Sequence, residues 1–150
     1  MYWIICVIVF VLLLICDQVT KAISYKCFKE KVHLSKHIVF TYLENEGGFS
    51  GFLANHRIIL MIFNIVAIAL ISIFLIPNYV IKSFTFFSVF LSIFLSGACG
   101  NLTDRIMRGH VIDFVYFKFK KHSSKVFNLA DVFIFGGMIG MIVGAIIYGI

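Results

Sequence analysis

The residues in this sequence best suited to chemistry are its aspartates, which lie at the ends of long apolar segments or between the last two. The chain has only seven acidic residues, and four of them are aspartates: Asp17, Asp104, Asp113 and Asp131. An ionisable side chain beside an apolar, membrane-like segment is energetically costly, so such residues are usually paired or functional. The aspartates are therefore the first candidates for a site.

Asp113 and Asp131 have the surroundings that acid–base chemistry needs. Asp113 lies between apolar residues in the stretch Val111-Ile-Asp-Phe114, which predicts partial desolvation and a raised carboxyl pKa. Asp131 is expected to open the last helix, where the helix dipole favours an ionised carboxylate. A protonated and an ionised carboxyl can together polarise a peptide carbonyl and activate a water molecule. A role as a helix N-cap would explain Asp131 but not Asp113.

A second polar group surrounds Asp104. Asn101, Asp104 and Arg105 are spaced i, i+3, i+4 and therefore share one face of a helix. Asp104 is expected near the end of that helix, where the dipole disfavours a carboxylate. A cation is required nearby, and Arg105 or Arg108 could supply it. We interpret Asp104 as one partner of a structural ion pair at the membrane interface.

Other catalytic chemistries find little support in the sequence. His33 and His37 form an H-x-x-x-H pattern, but Leu34 stands where a zinc peptidase needs glutamate. The four cysteines form no Cys-x-x-Cys pair and are expected to serve as small apolar residues. We therefore expect no metal and no cofactor. The net charge of +6 is better explained by anionic lipid headgroups than by nucleic acid.

The elements that must position these residues are membrane helices. The chain is 61% hydrophobic, and a bilayer-spanning helix needs about 20 apolar residues. Backbone groups in lipid must be satisfied internally, so the apolar segments are expected to be helical. The predicted helices span about residues 2–16, 58–76, 84–102 and 132–150, with loops at 17–57 and 103–131, in a single domain covering 1–150.

Finer features refine this arrangement. The first segment lacks a basic start and a small-residue cleavage site, so we expect it to be retained, and Pro77 is expected to end the second helix. Partial alternation at 33–42 and 113–120 predicts short strands at the membrane surface. Gly136, Gly140 and Gly144 have small-xxx-small spacing. This spacing either allows close packing of another helix or reflects the ordinary tolerance of glycine in membrane helices.

Five motifs, taken together and in this order, resemble the lipoprotein signal peptidase family, also called signal peptidase II. They are Asp17-Gln-Val-Thr-Lys21, Asn45-Glu-Gly-Gly-Phe-Ser50, Gly100-Asn-Leu-Thr-Asp-Arg105, Val111-Ile-Asp-Phe114 and Phe127-Asn-Leu-Ala-Asp131. The resemblance implies four transmembrane helices plus a short antiparallel sheet at the outer membrane surface. It also implies an aspartic endopeptidase of the bacterial inner membrane that cuts diacylglyceryl-modified prolipoproteins just before the lipidated cysteine.

The resemblance also implies residue roles and partners. It assigns the catalytic pair to Asp113 and Asp131, without a cofactor. It assigns supporting or substrate-binding roles to seven polar residues: Asp17, Lys21, Asn45, Asn101, Asp104, Arg105 and Asn128. The expected partners are diacylglyceryl-prolipoproteins, membrane lipids and the inhibitor globomycin, and the protein is expected to be a monomer. The motif at Asn45 departs from the usual Asn-x-Gly-x-Ala-Phe pattern, because it is one residue shorter and lacks the alanine.

The orientation in the membrane has two conflicting indications. Six of the 13 Lys and Arg residues lie in the first long loop, six in the second, and only Lys82 in the short connection. The positive-inside rule would place both long loops in the cytoplasm. The resemblance implies the opposite, with both long loops outside and both termini cytoplasmic. We adopt that orientation, because the lipidated cysteine of the substrate lies at the outer leaflet.

Two functions of other classes stay open at this stage. A small proton- or ion-conducting membrane subunit would also carry intramembrane carboxylates, although it predicts acids near the middle of helices. A non-catalytic scaffold for other membrane proteins would explain the glycine stripe. The scaffold predicts that all four aspartates tolerate replacement by asparagine.

Overall fold

The computed structural model describes residues 2–48, 56–80, 85–119 and 122–148. Its elements, in chain order, are α1 (Tyr2–Cys27), β1 (Val32–His33), β2 (Ile38–Asn45), α2 (Arg57–Val80), α3 (Thr85–Met107), β3 (Val111–Phe119), β4 (His122–Phe127) and α4 (Leu129–Tyr148). The predicted fold class, a helical membrane protein with a small antiparallel sheet, is confirmed. The predicted helix limits at 84 and 150, Lys82, and the residues at 49–50 of the Asn45 motif lie outside the described residues.

Helix α1 is longer than predicted. It was expected to end near residue 16, but it continues to Cys27. Asp17 and Lys21 therefore lie inside the helix, one turn apart, and their charged groups are 2.8 Å from each other. Because an i,i+4 pair of opposite charge stabilises a helix, these two residues do not end it. The prediction that the first loop begins at residue 17 is wrong.

Helix α3 also extends beyond its predicted end at residue 102. It ends at Met107, two residues before Gly109, which has a positive φ of 89°. The backbone N–H of Gly109 donates to the carbonyl of Asp104 at 3.2 Å. A glycine in this conformation is a common way to end a helix, because it has no Cβ to clash. Asp104 and Arg105 consequently lie in the last turns of α3 rather than in a loop.

Within the part of the chain that the structure describes, three helices are long and apolar enough to cross a membrane: Trp3–Cys27, Phe86–Met107 and Leu129–Ile147. In α2 the apolar part is shorter and runs over Arg57–Ile73 in the described residues. Helix α2 continues to Val80 and contains Pro77, so the prediction that this proline ends the helix is wrong. Helix α4 begins at Leu129, three residues earlier than predicted.

Polar and apolar side chains are distributed in the reverse of a water-soluble protein. Large apolar side chains on the helices are exposed, including Leu12 and Phe63. By contrast, Asp17, Lys21 and Asp104 are 0% exposed. Lipid solvates apolar side chains, whereas polar groups must find partners inside the protein. This distribution supports a membrane setting for the helix bundle.

Helices α3 and α4 approach closely through glycines. A Cβ on Gly137 would lie 2.6 Å from the backbone nitrogen of Phe94, and a Cβ on Gly140 would overlap the Phe90 ring. Gly144 faces Phe86, but Gly136 has nothing within 4 Å. Small residues let helix backbones come together in this way. Of the two interpretations of the glycine spacing, close helix packing is therefore the one present, with Gly137 rather than Gly136 at the contact.

The sheet brings distant polar residues to one end of the bundle. Its four strands are antiparallel in the order β1-β2-β3-β4. At the β2–β3 pair, Leu43 is opposite Asp113 and Asn45 is opposite Val111, so Asn45 and Asp113 are diagonal neighbours on one face. Strand β4 leads directly into α4. The predicted strand at 33–42 is divided by a turn at residues 34–37.

Gly137 and Gly136 offer a matched test of the α3–α4 contact. We expect Gly137→Ala to destabilise the protein by about 1–3 kcal/mol, because the added methyl group would overpack the contact with the α3 backbone. Gly136→Ala should have little effect, because its new methyl group meets open space. Unfolding of both variants in detergent micelles measures the difference. Equal stability of the two variants would contradict this packing.

Candidate active site

Asp113 and Asp131 line the same cleft, at the end of the bundle that carries the sheet. Asp113 comes from strand β3 and Asp131 from the first turn of α4. The cleft has a volume of about 210 Å³. Its polar lining includes Asn45, Asn101, Arg105, Asp113 and Asp131, and its apolar wall includes Ile134 and Phe135. The chain therefore doubles back between the two aspartates, as their cooperation requires.

Two asparagine amides connect the carboxyl groups. The Nδ2 group of Asn128 donates to Asp113 Oδ1 at 2.6 Å and to Asn101 Oδ1 at 3.2 Å. The Nδ2 group of Asn101 donates to Asp131 Oδ1 at 3.0 Å. The two aspartates are thus joined by one continuous path of hydrogen bonds through Asn128 and Asn101. A change in the charge of one carboxyl group therefore changes the electrostatic environment of the other, both along this path and through space.

Burial raises the pKa of Asp113 to about 7. The side chain is only 3% exposed, and the loss of water disfavours its charged form. The hydrogen bond from Asn45 Nδ2, at 2.8 Å, partly offsets this effect, and the nearby charge of Asp131 adds to it. The raised pKa expected from the apolar neighbours of Asp113 is therefore confirmed. Asp113 can hold a proton at neutral pH and release it readily.

Asp131 takes part in a reciprocal cap at the start of α4. Its backbone N–H donates to Asn128 Oδ1 at 2.9 Å, and the backbone N–H of Asn128 donates to Asp131 Oδ2 at 3.3 Å. This is the geometry of a capping box, in which two backbone donors are satisfied at once. Asn128, rather than Asp131, is the capping residue. The donors from Asn101 and Asn128 favour the carboxylate form of Asp131, whereas its burial opposes that form.

A buried ion cluster lies behind the aspartate pair. Lys21 Nζ contacts Asp17 Oδ2 and Asp104 Oδ2, both at 2.8 Å, and donates to Asn101 Oδ1 at 3.0 Å. Asp104 also pairs with Arg108. The structural ion pair predicted for Asp104 is therefore present, with Lys21 and Arg108 as its partners and not Arg105. The cluster joins α1 to α3, directly beneath the amide that contacts Asp131.

The carboxylates of this cluster also hold backbone groups of neighbouring elements. Asp17 Oδ1 accepts the backbone N–H of Ala130 at 2.9 Å. That N–H lies in the first turn of α4, where backbone donors have no partner within the helix. Asp104 Oδ2 accepts the backbone N–H of Ile112 at 3.3 Å, next to Asp113. Both supporting aspartates therefore position the backbone beside a member of the pair.

Arg105 and Asn45 shape the cleft from the side of strand β2. Arg105 donates to the carbonyl of Gly47 at 3.1 Å, and Asn45 Oδ1 accepts the N–H of Gly47 at 3.0 Å. The shortened motif after β2 therefore still directs the Asn45 amide toward Asp113. The buried Nε of Arg105 has no partner among the residues that the structure describes. Arg105 is thus held in place while retaining an unused donor.

Sequence reasoning missed two polar residues near the site. Gln18 donates to Asp17 Oδ2 at 3.1 Å and to Asp104 Oδ1 at 3.3 Å. The sequence could have indicated Gln18 through its position within the Asp17–Lys21 motif. Asn64 lines the cleft and donates to the carbonyl of Ala98 at 3.3 Å. The sequence could have indicated Asn64, because it is an amide inside the apolar run of α2, where an unpartnered polar group would be costly.

His33 and His37 are not part of the lining of this cleft. Within residues 2–48, 56–80, 85–119 and 122–148, no three His, Cys, Asp or Glu side chains are arranged to hold a metal ion. His37 is exposed, and its ring Nδ1 is 3.3 Å from the carbonyl of Lys118 on β3. His33 is exposed on the short edge strand β1. The H-x-x-x-H pattern is a feature of the sheet rather than of the site.

Comparison with known proteins gives this arrangement a family. A family model described as Signal peptidase (SPase) II matches residues 9–147. The chain belongs to the signal peptidase II family. The family expected from the five motifs is therefore confirmed, and the chain is a membrane peptidase. The match covers all the elements that contribute side chains to the cleft.

Individual signal peptidase II relatives and a solved structure agree with this assignment. The lipoprotein signal peptidase of Clostridium tetani (strain Massachusetts / E88) is 35% identical over 141 residues, which cover 91% of this chain and 89% of the relative. The lipoprotein signal peptidase of Caldicellulosiruptor bescii is 40% identical over 140 residues, which cover 92% of this chain and 85% of the relative. A solved bacterial membrane enzyme is similar with a TM-score of 0.81 and 26% identity, over 94% of this chain and 87% of that one.

The raised pKa of Asp113 predicts a pH dependence of stability. The folded-state value of about 7 lies above the ordinary value of 3.8, so folding favours the protonated carboxyl. The stabilising contribution is complete below the unfolded pKa and is lost as the pH rises through the folded pKa. Between about pH 4 and about pH 7, the midpoint temperature of thermal unfolding of the wild type should therefore fall more steeply than that of Asp113→Asn. An equal fall in both proteins would contradict the raised pKa.

Proposed function

We propose that the protein is an aspartic endopeptidase that removes the signal peptide from diacylglyceryl-modified prolipoproteins, immediately before the lipidated cysteine. The observation that carries this proposal is the meeting of Asp113 and Asp131 at one cleft, joined through Asn128 and Asn101. The substrate class is supported by relatives named lipoprotein signal peptidase. We propose that residues 1–150 act as a single integral-membrane peptidase domain.

The proposed reaction uses the two carboxyl groups in opposite protonation states. The Asp131 carboxylate takes a proton from a water molecule, and the water oxygen bonds to the scissile carbonyl carbon. Asp113 gives its proton to the carbonyl oxygen, which yields a neutral tetrahedral intermediate. The carbon–nitrogen bond then breaks, the departing amine takes the proton held by Asp131, and the hydroxyl proton returns to Asp113. The pair ends in its starting state without a further reactant.

Substrate binding would use the strands and the apolar wall of the cleft. The lipid anchor would bring the substrate to the site by diffusion within the bilayer, and the signal helix would pack among the apolar helices. The extended cleavage segment would lie along the sheet, as peptides do when they pair with strand edges. We propose that Asn45 and Arg105, both lining the cleft, contact this segment.

We further propose that the protein resides in the bacterial inner membrane with the cleft at the outer face and both termini in the cytoplasm. The ends of α1 and α3 and the start of α4 lie next to the sheet, because Asp17, Asp104 and Ala130 are joined there. The basic residues of the two long loops would then contact anionic headgroups. We propose that the monomer is active and that globomycin occupies the same cleft.

The decisive experiment replaces each member of the pair with the isosteric amide. Asp113→Asn and Asp131→Asn should each lower the release of signal peptide by at least about 10²-fold, because each removes a proton-transferring group. The assay uses purified protein and a diacylglyceryl-modified prolipoprotein, with and without globomycin. Glu30→Gln is the matched control, because Glu30 is exposed and distant from the cleft lining. It should retain activity.

Full activity of either aspartate variant would reject the catalytic pair. Unfolding of each variant in detergent must resemble that of the wild type, so that the loss reports chemistry rather than folding. A pH-driven flux assay in liposomes distinguishes the ion-conducting alternative. Proton flux that depends on Asp131, without release of signal peptide, would favour conduction over peptide hydrolysis.

A further inference from the structure

The mechanism proposed above gives no role to Lys21, although this lysine is completely buried. Its ammonium group has three hydrogen-bond donors and no acceptor. All three donors are used: two contact the carboxylates of Asp17 and Asp104, at 2.8 Å each, and one contacts Asn101 Oδ1 at 3.0 Å. The third contact is not needed to neutralise charge, and it connects the ion cluster to the aspartate pair.

We infer that Lys21 is a positioning residue that fixes the orientation of the Asn101 amide, and through it the hydrogen bonds received by Asp131. This inference rests on the proposed peptidase function. The lysine touches neither carboxyl group of the pair in the structure. Its charge acts through space on both carboxyl groups, but its hydrogen-bonded connection to the pair runs through Asn101, which donates to Asp131 Oδ1 at 3.0 Å. Lys21 is therefore distinct from a catalytic residue.

The amide of Asn101 has only one orientation that satisfies both neighbours. An ammonium group can only donate and a carboxylate can only accept, so the amide oxygen must face Lys21 and the NH2 group must face Asp131. A rotated amide would place two donors against each other on one side and two acceptors on the other. Leaving such groups unsatisfied in a buried site is strongly unfavourable. Without the ammonium group, this preference is weakened.

The same orientation extends to the second aspartate. Asn101 Oδ1 also accepts a hydrogen bond from Asn128 Nδ2 at 3.2 Å, and that Nδ2 group donates to Asp113 Oδ1 at 2.6 Å. The oxygen of the Asn128 amide meanwhile accepts the N–H of Asp131 at 2.9 Å. A rotated Asn101 amide would direct its NH2 group at the Asn128 donor. Lys21 thus sets the direction of every amide between the two carboxyl groups.

The packing of α1 against α3 is adapted to this contact. A Cβ added to Gly100, next to Asn101, would lie 2.5 Å from Asp17 Oδ2 and 3.2 Å from its Cγ. Only glycine therefore lets α1 approach closely enough at this level for the cluster to form. The charges around the lysine also balance, because Arg108 pairs with Asp104 as well. The buried lysine and its two carboxylates are thus balanced by a second cation, Arg108, which is partly exposed.

A double-mutant cycle separates positioning from a purely structural role. The four proteins are the wild type, Lys21→Met, Asn101→Ala and the double variant, each assayed for cleavage of a diacylglyceryl-modified prolipoprotein. We expect each single variant to lower kcat by about tenfold or more, and the double variant to be at most about twofold slower than Asn101→Ala alone. For Lys21→Met, KM should stay within about twofold of the wild type, because Lys21 does not line the cleft.

Charge balance supplies a second route if Lys21→Met does not fold. Asp17→Asn removes one anion, so the pair Asp17→Asn and Lys21→Met together removes one anion and one cation. The same cycle with Asn101→Ala is then measured with Asp17→Asn as the reference protein. Thermal unfolding of every variant is recorded alongside the kinetics. Loss of kcat without the expected coupling to Asn101 overturns the inference here as well.

The outcomes separate this inference from the function on which it rests. If the wild type releases signal peptide and the effects of Lys21→Met and Asn101→Ala multiply to about 10²-fold, Lys21 acts independently of Asn101 and only the positioning role is overturned. An increase in KM with unchanged kcat would overturn it too. If the wild type releases no signal peptide while remaining folded, the proposed function fails and the inference fails with it.

Discussion

One buried ammonium group, that of Lys21, holds together the polar end of this helix bundle. Lipid offers no hydrogen bonds, so polar groups that enter the bundle must satisfy one another. The lysine meets this requirement for Asp17 and Asp104 at once, and its third donor meets it for Asn101. Because both carboxylates also accept backbone N–H groups from β3 and α4, the same contacts fix where the helices and the sheet meet.

The surroundings of the two cleft aspartates follow from this arrangement. Asp113 comes from a strand that is buried against the bundle, so it loses water and its pKa rises to about 7. Asp131 comes from the start of a helix, where backbone and amide donors are available. Each carboxyl group accepts two hydrogen bonds: two from side-chain amides at Asp113, and one from an amide and one from a backbone N–H at Asp131. The two groups therefore differ in the element that presents them, a strand and a helix start, rather than in the number of their donors.

Particular elements show why some boundaries could not be read from the sequence. The apolar segment that ends at Cys16 predicts a loop from Asp17 onward. Asp17 and Lys21 continue α1 because Asp104, on another helix, pairs with the lysine. Likewise, the glycine spacing of α4 leaves open whether another helix packs closely there, and the contact that forms includes Gly137 and leaves Gly136 open. The side of a helix that faces a neighbour depends on that neighbour.

By itself, the sequence determined the membrane class, the apolar helices, the presence of strands and the family, because each depends on local composition or on motifs along the chain. It also named the polar residues of the site other than Gln18 and Asn64. Only the tertiary structure decided which of these residues are partners, since Lys21 and Asn101 come from different helices. The sequence carries no sign of the direction in which the Asn101 amide points. That direction follows from an ammonium on one side and a carboxylate on the other, brought together only by folding.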